Sequence, residues 1–360
     1  MLSRMILVSS AILILMGIVV VYSSSGVMAH FGYHDSMFFL KRQILFLFLG
    51  GMAFISAWIL DPRLYQKYAY YIYGVAIFLL LVVLIPGVGK AAGGASRWIA
   101  LGPFRLQPGE LFKVALVVYL AMSLAKKGHK MQLFRVGIIP HLVLPGIAMG
   151  LLILEPDFGT TVIVALVTFT MLFIGGARVA YLLGGILISI PVAVHLIASS
   201  PYRMARMAAF LDPWSHRQES GYQVVQSLMT LGSGGWFGKG LGHGPSKLYF
   251  LPAAHTDFIL AVIGEELGFL GVALVITCFA ALLYVGFTVA LKTKDKFKSY
   301  LAAGLTSMLI IQATLNFFVV MGLVPTKGLT LPLVNYGGSS LIVGCWMMGV
   351  LFRLSRELGR

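Results

Sequence analysis

Charge is scarce in this 360-residue sequence: only 11% of residues are charged, with 12 Asp and Glu against 27 Lys and Arg. A soluble domain of this length needs far more charged surface. Cysteine is nearly absent, and Cys278 and Cys345 both fall in apolar runs, where they read as packing residues rather than a disulfide. There is no H-E-x-x-H, no cysteine cluster and no G-x-S-x-G, so zinc peptidase and serine hydrolase chemistry have no support. No linker, low-complexity tract or convincing repeat divides the chain, and residues 1–360 read as a single integral domain.

What is present is hydrocarbon: 59% of residues are hydrophobic. Ten apolar runs recur, at 5–22, 44–60, 70–85, 111–125, 136–154, 160–174, 179–198, 267–291, 301–323 and 341–352. Most approach the ~20 residues a bilayer-crossing helix needs, and they are too long for barrel strands. The expected fold is all-α: a polytopic membrane protein with about ten transmembrane helices. The first run resembles a signal peptide, but no clear A-x-A site follows, so it reads as the first span.

A net charge of +15 would suit nucleic acid, but the positive residues sit in short loops between spans. With the amino terminus inside, 15 basic residues fall on the cytoplasmic side and 11 on the other, with Lys113 inside a span. The short-loop bias places both termini in the cytoplasm. Eight of the 11 lie in two long outer loops, 86–110 and 199–257, and are candidates for binding something anionic. The larger loop is long enough to need its own structure.

Six segments carry candidate chemistry or binding. In LPAAHTDFILAVIGEEL, residues 251–267, three acids fall within ten positions. If Thr256 caps a helix, Asp257 sits in its first turn, favoured there by the helix dipole, or it is a catalyst. Glu265 would lie about 80° round the helix from Asp257 and could line the same cavity, whereas Glu266 would lie about 180° away. Acids at membrane depth usually face a polar interior or a substrate path. In GGASRWIALGPFRLQPGELFKVAL, residues 93–116, Arg97 and Arg105 sit in the loop. Glu110 and Lys113 share a helical face, as a structural ion pair or with a direct role. In LEPDFGTTV, residues 154–162, Asp157 and Thr160 suit a helix start or catalysis. Within 199–257, Arg203, Met204, Met207 and Phe210 recur at helical spacing, which suggests a short interfacial helix or simple surface anchoring. The glycine-rich GSGGWFGKGLGHGPSK lacks a P-loop pattern, but a nest of amides with Lys239 and Lys247 would hold a phosphate. In PTKGLTLPLVNYGGSSL, residues 325–341, Lys327 is external and Ser339 and Ser340 begin the last span, with Ser339 a candidate N-cap.

Together these segments resemble the SEDS family of membrane glycosyltransferases, which includes FtsW, RodA and SpoVE. The resemblance rests on FLKRQ (39–43), GASRWI (94–99), QPGELFK (107–113), EPDFGT (155–160), FLDPW (210–214), GYQVVQS (221–227), LPAAHTDFILAVIGEELG (251–268), PTKG and NYGGSS (325–340). The GSGG, PTKG and GEELG runs look closer to FtsW or SpoVE than to RodA. Gly109 and Asn335 depart from it, since serine is usual at both positions.

The resemblance implies lipid II polymerisation into glycan strands on the outer face of the bacterial cytoplasmic membrane, in septal synthesis for division or, alternatively, in elongation or sporulation. It implies that Asp257 is the general base. Arg97, Arg105, Glu110, Lys113, Arg203, Arg206, Lys239, Lys247, His255, Thr256, Glu265, Lys327, Ser339 and Ser340 are the candidate substrate-binding residues. A divalent cation, Mg or Mn, is an expected option for the diphosphate, with no cofactor certain. The expected partners are lipid II, undecaprenyl-diphosphate-linked glycan, membrane lipids, a class B penicillin-binding protein and other divisome proteins, with no nucleic acid. The alternatives are a lipid II flippase, which would need polar residues through the midplane where few occur, and a non-catalytic scaffold.

Overall fold

The computed structural model describes residues 1–92, 95–102, 104–245 and 251–359. In chain order it begins with α1 (Leu2–Tyr33), α2 (Phe38–Ile59), the short α3 (Pro62–Lys67) and α4 (Ala69–Val83). An antiparallel meander of β1 (Gly89–Ala92), β2 (Ala95–Leu101) and β3 (Phe104–Leu106) leads into α5 (Pro108–Lys127). Then come α6 (Ile139–Leu154), α7 (Phe158–Ile174) and α8 (Val179–Ala198), followed by two short helices, α9 (Pro201–Leu211) and α10 (Tyr222–Gly232). The last three are α11 (Ile259–Lys292), α12 (Lys296–Val320) and α13 (Gly338–Glu357).

Eight helices among the described residues are long and apolar enough to cross a membrane: α1, α2, α5, α6, α8, α11, α12 and α13. The shorter α4 and α7 are apolar too. Helix suits such segments because it satisfies every backbone group without water. The bundle is built round α5, which is buried on nearly every side and packs on α4, α7 and α12. At the opposite extreme, Leu182 is the one buried residue in α8. Small residues let α2 and α13 meet backbone to backbone, and a Cβ at Gly349 would overlap the carbonyl of Phe54.

The structure departs from the sequence reading in two places that bear on the site. Residues 86–110 contain the meander, whose β2 pairs Ile99 with Gly89 on one side and with Leu106 on the other, and it presents Arg97. Strands this short have no run of alternation long enough to stand out. The second is α11, which starts at Ile259 rather than at Thr256 and breaks at Gly268, with φ 67° and ψ −164°.

One end of the bundle gathers the meander, the 155–157 turn, α9, α10, residues 233–245 and 251–258, and the 321–337 loop. There the candidate residues converge.

Candidate active site

Asp257 lies in a turn before α11, not in its first helical turn. The N-cap is Phe258 without a side-chain bond, and Thr256 Oγ1 donates to the Ala253 carbonyl at 3.2 Å. The expected threonine cap is therefore absent, because the chain from 252 to 258 closes on itself through turns and leaves Thr256 outside the helix. Asn316 of α12 pins Asp257 instead, its Nδ2 donating to the Asp257 carbonyl at 2.8 Å and to the Leu329 carbonyl at 2.6 Å. One amide thus fastens the aspartate to the 321–337 loop.

The Asp257 carboxyl keeps a partial opening to solvent while being densely surrounded. Burial pushes its pKa up to about 6, Arg206 and then Arg97 oppose the rise, and Asp157 adds to it. Gly328 borders both groups: a Cβ there would lie in van der Waals contact, 3.5 Å from Asp257 Oδ2 and 3.8 Å from Arg97 Nη1.

The cations arrive from different elements. Arg97 of β2 donates to the Pro156 carbonyl and stands 3.8 Å from Asp157 Oδ1. Asp157 caps α7, accepting from the Thr160 amide at 3.1 Å and the Thr160 hydroxyl at 2.8 Å. Arg203 and Arg206 lie one turn apart on α9. Arg206 donates to the Thr326 carbonyl at 2.7 Å, while Arg203 lies over the Phe158 ring and donates to the Leu196 carbonyl. Lys327 stands 4.7 Å above the same Phe158 ring, half-buried, and burial pulls its pKa down to about 8.

His255 packs between Phe39 (4.9 Å) and Tyr336 (5.9 Å), and its backbone carbonyl accepts from the Tyr336 amide at 3.0 Å. Burial holds its pKa near 4, so it stays a neutral imidazole. Arg105 is exposed, and its carbonyl accepts from Ser339 Oγ at 3.3 Å.

A second layer supports the 321–337 loop from below. Lys113 Nζ donates to Glu110 Oε1 at 2.9 Å and to Gln312 Oε1 at 2.6 Å. Gln312 Nε2 donates to the carbonyl and hydroxyl of Thr330, and Thr330 Oγ1 lies 3.2 Å from Ser340 Oγ. Ser339 is not the N-cap of α13: that position is Gly337, and Ser339 Oγ accepts from the Gln107 amide at 3.0 Å. The Gly-Gly turn sets the helix start one residue before the serines, which frees both hydroxyls for tertiary bonds.

Two expected members fall elsewhere. Glu265 does not line the Asp257 cavity; its carboxylate meets Lys239 at 3.2 Å and Ser233 at 3.3 Å. Because Asp257 precedes the helix, the angular relation of a regular helix does not apply. Lys239 is taken up by Glu265, so the phosphate nest is not formed by this lysine, and Lys247 lies outside the described residues. Four contributors escape sequence reasoning: Gly328, Asn316, Gln312 and Glu155. Only Glu155 had a visible signal, an acid beside an apolar run.

Glu155 is buried with Oε1 unbonded. Burial and then Asp157 push its pKa up to about 8 against the opposing Arg97. The native chain thus holds this proton to higher pH than the unfolded chain. The stability it contributes is full below its ordinary value of 4.5 and is lost as pH rises to about 8. Glu155→Gln is expected to flatten that loss and raise the melting temperature most above pH 8. An unchanged pH slope in thermal melts would contradict it.

An apolar helical bundle with two raised carboxyl groups, Asp257 and Glu155, among cations at one end defines a multi-pass membrane protein with a candidate acid–base site. The chain belongs to the FtsW–RodA–SpoVE family: the family model described as "Cell cycle protein" matches residues 3–359. A "Probable peptidoglycan glycosyltransferase FtsW" of Geobacter sp. (strain M18) is 43% identical over 353 residues, 98% of this chain and 96% of that protein. "Stage V sporulation protein E" of Bacillus subtilis (strain 168) is 39% identical over 352 residues, 98% of this chain and 96% of that one. A chain from a solved structure on "structural coordination of polymerization and crosslinking by a peptidoglycan synthase complex" superposes with a TM-score of 0.82 at 28% identity, covering 98% of this chain and 97% of its own.

Proposed function

We propose that this chain is a peptidoglycan glycosyltransferase that polymerises lipid II at the outer face of the cytoplasmic membrane, with both termini in the cytoplasm and a role in division. The observation that carries the reading is Asp257: a carboxylate with a pKa of about 6, open to solvent beside Gly328 and faced by Arg97 and Arg206. A carboxyl group with a pKa just below neutral is ionised and free to accept a proton at neutral pH, yet basic enough to hold that proton once taken.

Asp257 takes the proton of the acceptor GlcNAc 4-hydroxyl as that oxygen attacks the anomeric carbon of the donor MurNAc. The new β-1,4 bond forms with inversion while the carbon–oxygen bond to undecaprenyl diphosphate breaks, and the diphosphate departs with the electron pair. Arg97, Arg206, Arg203 and Lys327 are the cations gathered round Asp257 and the Phe158 ring, and their guanidinium and ammonium groups meet that developing charge. His255 is neutral, so it neither donates charge nor competes for it.

Among the described residues no three His, Cys, Asp or Glu groups are placed to hold a metal ion by themselves, so a Mg or Mn ion here would be carried largely by the substrate diphosphate. No step here is routed through a metal. A class B penicillin-binding protein is the proposed partner, and its addition is expected to raise the polymerisation rate of the purified chain.

The pH profile tests the reading on labelled lipid II. The rate is expected to fall about tenfold per pH unit below a midpoint near 6, as Asp257 takes up its proton. Above about 8 it is expected to fall again as Lys327 loses its charge. Arg206→Ala removes the strongest opposing charge and should move the acid midpoint upward. A rate independent of pH across the acid limb would refute Asp257 as the base.

A further inference from the structure

The glycine-rich stretch after α10 and the Glu265–Glu266 stretch of α11 have no part in the chemistry above, yet the fold presses them together. A Cβ at Gly234 would overlap the Gly264 carbonyl, one at Gly238 the Glu266 carbonyl, and one at Gly268 the Gly238 amide. With side chains excluded, the two backbones bond directly. Lys239 N–H donates to the Glu265 carbonyl at 2.9 Å, Gly240 N–H to that of Glu266 at 3.1 Å, and Phe269 N–H to that of Gly235 at 2.8 Å. These bonds bracket the break at Gly268, where a positive φ ends the first half of α11. Residues 259–267 form a separate half-helix, hinged at 268 and gripped by loop 233–244.

Side chains complete the grip. Glu265, 2% exposed, accepts from Lys239 Nζ at 3.2 Å and Ser233 Oγ at 3.3 Å, and Lys239 Nζ also donates to Ser233 Oγ at 2.7 Å. Gly244 rests on the other carboxylate oxygen, where a Cβ would overlap Oε2. Glu266 accepts from Ser23 Oγ of α1 at 2.5 Å, which fixes the half-helix to a neighbouring span. Asp257 sits two residues before the free end of this half-helix, and its own carbonyl is held by Asn316.

We propose that Lys239 and Glu265 are positioning residues for Asp257: their ion pair sets the rotation and depth of residues 259–267, and so the place of the carboxylate between Arg97 and Arg206. This rests on Asp257 being the base. Removing the Lys239 charge weakens the hold on a buried glutamate, and the strain that follows is carried to the half-helix on the near side of Gly268. Misplacement of a reacting group by an ångström is enough to lower a rate by about a hundredfold.

The full-length chain carrying Lys239→Ala should show kcat lowered about tenfold or more with KM within about twofold, because the clamp does not touch substrate. Lys239→Arg keeps the charge and should recover most of kcat. Gly244→Ala keeps Lys239 but pushes a methyl against Glu265, and should reproduce the loss. In both Lys239→Ala and Gly244→Ala, amide hydrogen exchange over residues 258–264 should quicken more than in the second half of α11, beyond whatever the loss of a buried ion pair costs the whole fold. Wild-type kcat in Lys239→Ala, a loss that arginine does not recover, or unchanged exchange at 258–264 would each overturn the proposal. If exchange quickens but Asp257→Ala polymerises normally, the clamp's hold on the half-helix stands and the assignment of the base falls.

Discussion

Asp257→Asn is expected to lower lipid II polymerisation by about 10²- to 10⁴-fold, the contribution typical of a positioned base. The same variant is expected to be at least as stable as the parent. The sign follows from the raised pKa. The native chain holds the Asp257 proton up to about 6, whereas the ordinary value is 3.8, so stability falls as pH rises through that window. At pH 7.5 the ionised carboxylate is a burden that the neutral amide removes. The backbone anchor from Asn316 uses the carbonyl of residue 257 and survives the substitution. Activity lost with stability kept is the signature of a group retained for chemistry against its own folding preference. Equal rates for parent and variant, measured on labelled lipid II with the partner present, would remove Asp257 from the mechanism.

The second large effect is on folding. Glu110 and Lys113 are 6% and 2% exposed, three residues apart on α5 and bonded at 2.9 Å. Lys113→Met leaves the Glu110 carboxylate buried without its cation and orphans the Gln312 carbonyl, so a loss of about 3–5 kcal/mol is expected. Glu110→Gln combined with Lys113→Met removes both charges and should recover most of the melting temperature. Activity in that double variant decides between the two roles left open by the sequence. If stability and polymerisation return together, the pair serves the fold by supporting the 321–337 loop through Gln312 and Thr330. If stability returns and activity does not, Lys113 or Glu110 acts on the substrate. Parent-like melting of Lys113→Met alone would show that the buried pair is not a stabilising feature.

Much of the site was legible residue by residue. Asp157 as a helix cap, the Glu110–Lys113 pair and a short helix carrying Arg203 and Arg206 are all local features, visible at spacings of three or four. The misreadings share one cause. Thr256 as a cap, Ser339 as a cap and Glu265 as a neighbour of Asp257 each assumed a regular helix beginning where the polar residues begin. The backbone instead turns tightly at 252–258 and at Gly337, and breaks at Gly268. Helix starts are the least reliable boundary to read from sequence, and an error of two residues redirects every side chain after it.

By itself the sequence determined that this chain is a bundle of membrane-crossing helices with its unexplained cations in two long loops. Hydrocarbon demands that each span satisfy its own backbone, so the signal for a span is contained within the span. Tertiary structure decided which polar groups meet. Arg97 finds the 155–157 turn, Lys113 finds Gln312, Asn316 finds Asp257, and Ser23 finds Glu266 across 243 positions. Nothing local specifies these pairs. They follow from packing of small and apolar faces, which brings a few polar side chains together where each must find a partner because no water is at hand.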